Sequence, residues 1–271
     1  MYYPLTGTPF SDNDNYCEIA PCTALMPYIR CFWGSRYPVR AEITQSEGIV
    51  IPDTCMDIIF DVNYTHNRTG GFFCTVDEHS YKTHGSTDTD LSATFGIRFY
   101  AWSAICFSQC DFTGRKNGHF DIGEFFGKIR SELEPMLSEL FTIEEKISAA
   151  EKILLKYLNI NRIDNNFMNA VYYMLRNNGQ AKISDICSYT GVSERQLQRI
   201  SAFNTGVSPK SLSSLIRYQL LWQDMLLNKS FDIMDAVLKY GYTDQSHLLR
   251  DFKARHLMTP SEAVQLARNS R

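Results

Sequence analysis

Near the carboxyl end the chain reads Ile233-Met-Asp-Ala-Val-Leu-Lys-Tyr-Gly-Tyr-Thr-Asp-Gln-Ser-His-Leu-Leu-Arg-Asp-Phe252. A stretch built on the same plan precedes it: Ile183-Ser-Asp-Ile-Cys-Ser-Tyr-Thr-Gly-Val-Ser-Glu-Arg-Gln-Leu-Gln-Arg-Ile200. Each opens with a short amphipathic helix and halts at a glycine, Gly191 or Gly241. There the chain must turn left-handed, a conformation that costs other residues energy. Two residues later a hydroxyl, Ser193 or Thr243, is placed to cap a second helix, and Gln196 completes a capping box in the first copy. The pattern is helix, three-residue turn, helix, and it occurs twice.

The second helix of each unit has two faces. Leu197 and Ile200 point inward in one, and Leu248, Leu249 and Phe252 in the other. Outward lie Glu194, Arg195, Gln198 and Arg199 in the first, and Asp244, Gln245, Ser246, Arg250 and Lys253 in the second. Arg and Gln make paired hydrogen bonds to guanine and adenine edges in the major groove, and a capped helix start with free amides suits a backbone phosphate. Exposed Arg and Gln also simply solvate helices, and for one unit the two readings weigh evenly. Two units in tandem with matching glycine and cap positions favour DNA. Between them Ser208 caps and Pro209 opens a helix of about twenty residues, which spans ~30 Å, close to the ~34 Å between successive major-groove faces of a duplex. Thr259-Pro-Ser-Glu262 caps a last short helix.

These motifs resemble the AraC/XylS family of bacterial transcription regulators over roughly residues 165 to 268, most specifically in Gly241-Tyr-Thr-Asp-Gln-Ser-His-Leu-Leu-Arg-Asp-Phe252 followed by Thr259-Pro260. The resemblance implies that Arg195, Gln198 and Arg199 hold the base- and phosphate-contacting positions of the first recognition helix. It gives Gln245, Ser246 and Arg250 those of the second. With the helix-start and flanking residues, the expected DNA-binding set is Ser193, Arg195, Gln196, Gln198, Arg199, Thr243, Gln245, Ser246, Arg250 and Lys253. Two departures stand out. Leu257 occupies a position where the family usually has glycine, and Ser201 one where it has phenylalanine, with Phe203 as a candidate substitute.

Upstream the pattern changes. Short β-branched and aromatic runs (Ile49-Val-Ile, Met56-Asp-Ile-Ile-Phe-Asp-Val, Phe95-Gly-Ile-Arg-Phe-Tyr) predict strands of a sandwich or small barrel, with Gly70-Gly71 as a tight turn opening the strand from Phe72. From Phe120 short helices are expected at 121–126 and 131–137. A longer one follows, capped by Thr142 with Glu145 three residues on. Its Ile143, Ile147, Ala150, Leu154 and Tyr157 form a seam that suits either the chain's own core or a homodimer through 142–158.

The expected organisation is therefore α+β. A β-rich effector-sensing domain spans 1–118, a helical segment 119–160, and an all-α tandem helix-turn-helix domain with a long connecting helix 161–271. The Pro52-Asp-Thr-Cys-Met-Asp-Ile-Ile-Phe60 and Gly96-Ile-Arg-Phe99 patterns are similar to sensing domains of some AraC-type regulators, which implies an unidentified small-molecule effector. Trp33, Tyr100 and Trp102 are its candidate apolar wall and Arg98 an anion partner; the alternative is that these aromatics are core.

Composition narrows the classes. With 44% hydrophobic and 21% charged residues the chain of 271 residues is globular rather than disordered. No apolar run approaches the ~18 residues of a membrane span, and the first residues lack the pattern of a secretion signal. A cytoplasmic protein with reduced thiols is expected, and the sequons at Asn63 and Asn67 then carry no meaning. The net charge of −3 hides a split, since the part from Asp164 onward holds thirteen Lys and Arg against nine Asp and Glu, a basic balance that suits double-stranded DNA. Of eight cysteines, Cys106 and Cys110 are four apart, on one face if helical, with His119 near enough to raise the question of zinc. The spacing is not that of a structural zinc site, so no metal, cofactor or catalytic residue is assigned. The leading reading is a DNA-binding transcription regulator, activator or repressor, with RNA polymerase as a further candidate partner. Two alternatives stay open: a regulator signalled by cysteine oxidation at Cys106 and Cys110, and a DNA-repair or metal enzyme localised by the helix-turn-helix units.

Overall fold

The computed structural model describes residues 2–40, 48–83 and 89–270. Among these, nine strands precede nine α-helices, with β9 immediately before the first helix. The strands are β1 (Cys17–Ile19), β2 (Ile29–Gly34), β3 (Val39–Arg40), β4 (Gly48–Val50), β5 (Cys55–Asn63), β6 (Arg68–Cys74), β7 (Tyr81–Thr83), β8 (Leu91–Tyr100) and β9 (His119–Phe120). Seven form one antiparallel sheet in the order β1-β2-β8-β5-β6-β9, with β3 also on β8, while β4 and β7 pair separately.

Register explains how one sheet carries both a core and a site. Successive side chains on a strand point to opposite faces. Opposing Met56, Ile58, Phe60 and Val62 of β5 stand Phe99, Ile97, Phe95 and Ala93 of β8, all buried. This apolar face is covered by α1 (Ile122–Leu137), whose Phe126 stacks on Phe99 at 5.7 Å, and by α2 (Ile143–Tyr157). The opposite face presents Asp57 directly across from Arg98. It looks toward the amino-terminal segment and the β4-β7 pair.

Several expectations need correction. Gly70 and Gly71 lie inside β6, and the turn comes earlier, with Asn67 at φ 48°. The glycine signal reflects crowding, because a Cβ at Gly71 would strike the Ile59 carbonyl. The two short helices are one segment, α1, with a single non-helical residue at Phe126 (φ −129°, ψ 38°). The seam of α2 is turned into the chain's own core, with Ile143, Ala150 and Leu154 fully buried; its Thr142–Glu145 capping box is present. Lys146 is buried beside that seam, its Nζ without a hydrogen-bond partner and 5.6 Å from the Tyr64 ring. Cys106 lies in a three-residue 3₁₀ turn and is buried, whereas Cys110 is exposed beyond it. The two thiols therefore do not share a helical face. All eight cysteines are free.

The carboxy-terminal part is helical: α3 (Asn165–Arg176), α4 (Ile183–Thr190), α5 (Glu194–Thr205), α6 (Pro209–Leu227), α7 (Ile233–Lys239), α8 (Gln245–His256) and α9 (Pro260–Asn269). The helical units α4-α5 and α7-α8 flank α6, a β-rich region precedes them, and no helix among the described residues is long and apolar enough to cross a membrane.

Candidate nucleic-acid interface and effector cavity

Both turns form as the glycines require, with Gly191 at φ 71° and Gly241 at φ 63°. Ser193 caps α5, its hydroxyl accepting from the Gln196 amide at 3.2 Å. The second cap is Asp244 rather than Thr243: its carboxylate accepts from the His247 amide at 2.7 Å, one residue later than the hydroxyl pattern indicated. A carboxylate at a helix start also complements the dipole better than a hydroxyl. Ser208 caps α6 with Pro209 in its first turn, and Thr259 with Glu262 closes a capping box on α9.

Leu197 and Ile200 of α5 and Leu248 and Phe252 of α8 are buried, as the periodicity demands. Leu249 is only partly buried. On the buried face of α8, Phe252 stacks on His256 at 4.8 Å, and the Tyr218 hydroxyl of α6 lies 2.7 Å from His256 Nδ1. Burial lowers the His256 pKa to about 4, so the ring is a neutral core group.

On the outside, Ser193, Arg195, Arg199, Thr243, Gln245, Ser246, Arg250 and Lys253 are exposed, and Gln196 and Gln198 half-buried. Arg195, Arg199 and Arg250 form no ion pair with any described residue; Arg250 only donates from Nε to the Ser246 carbonyl of its own helix at 3.3 Å. Neighbouring arginines differ. Arg255 bonds Ser214 Oγ at 2.7 Å and Asp251 at 3.3 Å, and Arg217 lies over the Tyr242 ring at 4.5 Å. Charge on the inner side is thus engaged internally, while the outward set stays available to a polyanion. The two departures are also resolved. Leu257 takes the left-handed conformation, φ 60°, at the end of α8. Ser201 is buried and donates to the Val207 carbonyl at 2.8 Å, while Phe203 is 41% exposed and does not replace the missing ring.

The sheet's polar face forms a cavity of about 210 Å³. Trp33 and Arg98 line it, but Tyr100 and Trp102 do not; they stack on each other at 5.3 Å beyond its edge, Trp102 buried. Nor is Arg98 an open anion partner. Its Nε donates to Asp57 Oδ1 at 2.9 Å, and the Trp33 indole donates to the same oxygen at 2.7 Å. The sequence reading did not select the carboxylates Asp53, Asp57 and Asp77, although the first two lie in its quoted Pro52-to-Phe60 motif. Asp57 is brought to Arg98 only by strand register, and Asp77 to both only by folding.

The cavity and the helices share a wall. Thr6 and Gly7 line the cavity, while the Thr6 carbonyl accepts from the Trp222 indole of α6 at 3.0 Å. Gln219, fully buried on α6, accepts from the Leu5 amide at 2.8 Å and donates to the carbonyls of Leu5 and Pro52 at 3.2 and 2.9 Å. Two further links tie the β-rich region to the helix-turn-helix units: the Phe112 amide donates to the Phe203 carbonyl of α5 at 3.0 Å, and Ser80 to the Arg255 carbonyl of α8. Among the described residues no group of three His, Cys, Asp or Glu side chains is placed to hold a metal ion.

Residues 186–265 match a family described as a helix-turn-helix domain, and residues 17–119 one described as a domain of unknown function, DUF6597. No curated protein matches the chain. Among solved structures, it is similar to an AraC-type regulator from Chromobacterium violaceum at 25% identity, covering 38% of this chain and 91% of that one with a TM-score of 0.35. A probable AraC family regulator from Rhodopseudomonas palustris aligns at 23% identity over 38% and 98% of the two chains, TM-score 0.34. ToxT from Vibrio cholerae aligns at 14% identity over 87% and 98%, TM-score 0.43. With its tandem capped units on either side of α6 and its match over 186–265, the carboxy-terminal part is an AraC-type tandem helix-turn-helix domain.

Proposed function

We propose that α5 and α8 enter successive major grooves of one duplex, and that a small-molecule effector in the sheet cavity controls how they do so. The observation that carries the DNA reading is the division among arginines. Arg195, Arg199 and Arg250 are exposed and form no ion pair with any described residue, whereas Arg217 and Arg255 are engaged within the protein. The 19 residues of α6 set the recognition helices apart by ~28 Å of helix at ~1.5 Å per residue. Arg195, Gln198, Arg199, Gln245, Ser246 and Arg250 read bases and phosphates. The helix-start residues Ser193, Gln196 and Thr243, with Lys253, hold the backbone.

Control by an effector rests on the shared wall. The segment carrying Thr6 and Gly7 faces the cavity and its carbonyls hold α6, so whatever fills the cavity acts on the contact that fixes the helical part. A ligand biases such an equilibrium only by binding one arrangement better.

The test is a band-shift titration on operator DNA selected from genomic fragments. Arg250→Ala with retained helical circular dichroism should lose ~1–3 kcal/mol of specific affinity, and log affinity should fall steeply against log salt. Unchanged affinity and selectivity, or a flat salt plot, overturns the interface.

A further inference from the structure

We infer that the effector is a small organic cation, an amine-bearing molecule whose ammonium sits between Asp77 and Asp53 and against the ring faces of Trp33, Tyr16 and Tyr81. This deepens the effector reading above and rests on it.

The cavity walls carry three carboxylates, Asp53, Asp57 and Asp77, and among the described residues one cation, Arg98. Arg98 is already matched. It is bonded to Asp57, lies 5.5 Å from the Trp33 ring centre, and has a Glu18 oxygen at 3.9 Å. That pairing engages Asp57, leaving two carboxylates of the walls without an ion pair: Asp77, on which no cation acts, and Asp53, which is desolvated and feels Arg98 without bonding to it. Asp53 accepts only a backbone amide, that of Cys55 at 2.7 Å. Asp77 makes no hydrogen bond or ion pair with any described residue. Burial, with Asp53 and Asp57 nearby, pushes its carboxyl up to about 7. A carboxylate left bare in a cavity wall is costly unless something brings the missing charge.

The rest of the wall tells which cation. Trp33 and Tyr16 pack at 5.9 Å, and Tyr81 lines the same space beside Ile49, Ile51 and Ile59. Aromatic faces attract ammonium groups through the ring quadrupole, whereas divalent ions seek a shell of six or more oxygens. Three side-chain donors in metal-holding geometry are not found among the described residues. The thiols of Cys55 and Cys74 are buried and their pKa values raised, so they remain protonated and add no charge. The volume of about 210 Å³ exceeds the ~150 Å³ of an apolar cavity that takes up benzene, which fits one ring with a short amine arm. An anionic ligand would meet Asp53 and Asp77 with no free cation to balance it.

The experiment is calorimetric titration of the full chain at about pH 8, where an ordinary aspartate is ionised, with three probes of one size: benzylammonium, benzyl alcohol and benzoate. Benzylammonium should bind about tenfold tighter than benzyl alcohol, and benzoate should give no heat. Asp77→Asn, which keeps the shape, should lower benzylammonium affinity to that of the alcohol while leaving the alcohol unchanged. Asp53→Asn provides the same readout should the first variant not fold. Binding of the alcohol or benzoate as tightly as the ammonium overturns the cation and leaves the cavity as an effector site. No heat from any of the three overturns the cavity itself.

Discussion

Gln219→Leu isolates the hold of the β-rich region on α6. The change preserves volume but removes an acceptor for the Leu5 amide and the donor to the carbonyls of Leu5 and Pro52. Leu5 and Pro52 are themselves buried, so water cannot take over cheaply. Each neutral hydrogen bond contributes about 1 kcal/mol net, and a buried group left unpaired costs about 1–3 kcal/mol. The added apolar burial of leucine offsets part of this, and the sum is a loss of about 3–5 kcal/mol, a large share of the ~5–15 kcal/mol of a typical domain. In urea the midpoint should fall by about 1–2 M at a slope of about 3 kcal/mol/M. Because the lost bonds lie between the two parts, helical circular dichroism and near-ultraviolet signals from the sheet should no longer fall together. An unchanged midpoint with coincident transitions would refute the claim that this glutamine joins them.

Asp77 gives a pH prediction. Its folded carboxyl sits at about 7 against an ordinary 3.8, so between those values the folded state holds a proton that the unfolded chain has lost. Stability should therefore fall as pH rises from about 4 to about 7, and Asp77→Asn should abolish that slope and add about 2–4 kcal/mol at higher pH, measured by denaturation across pH. Burial without a partner lowers Lys146 to about 8; Lys146→Met should raise the melting temperature, with a stabilisation of about 1–3 kcal/mol. Leu257, at φ 60° and 45% exposed, should tolerate glycine within about 1 kcal/mol but lose about 1–2 kcal/mol more as valine, despite valine's closer size; thermal unfolding that ranks valine above glycine would contradict the strain.

The helix-turn-helix units were legible because their signals are local. A glycine that must turn left-handed, a serine accepting from an amide three residues on, and a proline in the first turn of a helix involve only neighbours along the chain. The same locality explains the small miss at Thr243, where two adjacent residues can both cap and Asp244 is the one that does. The strands around 55–63 and 91–100 were legible for a similar reason, since alternation records which face is apolar.

Which strands meet, and in what register, is not written in any local window. Arg98 reads as a free cation until β5 sets Asp57 opposite it, forty-one residues away. Tyr100, two positions on, lies outside the cavity and stacks with Trp102. Sequence alone thus determined the presence of the two helix-turn-helix units and the polar, basic chemistry of their outward faces. Tertiary structure decided the charge of the cavity and its join to α6, because those depend on pairings between distant segments whose energies exist only once the chain has closed.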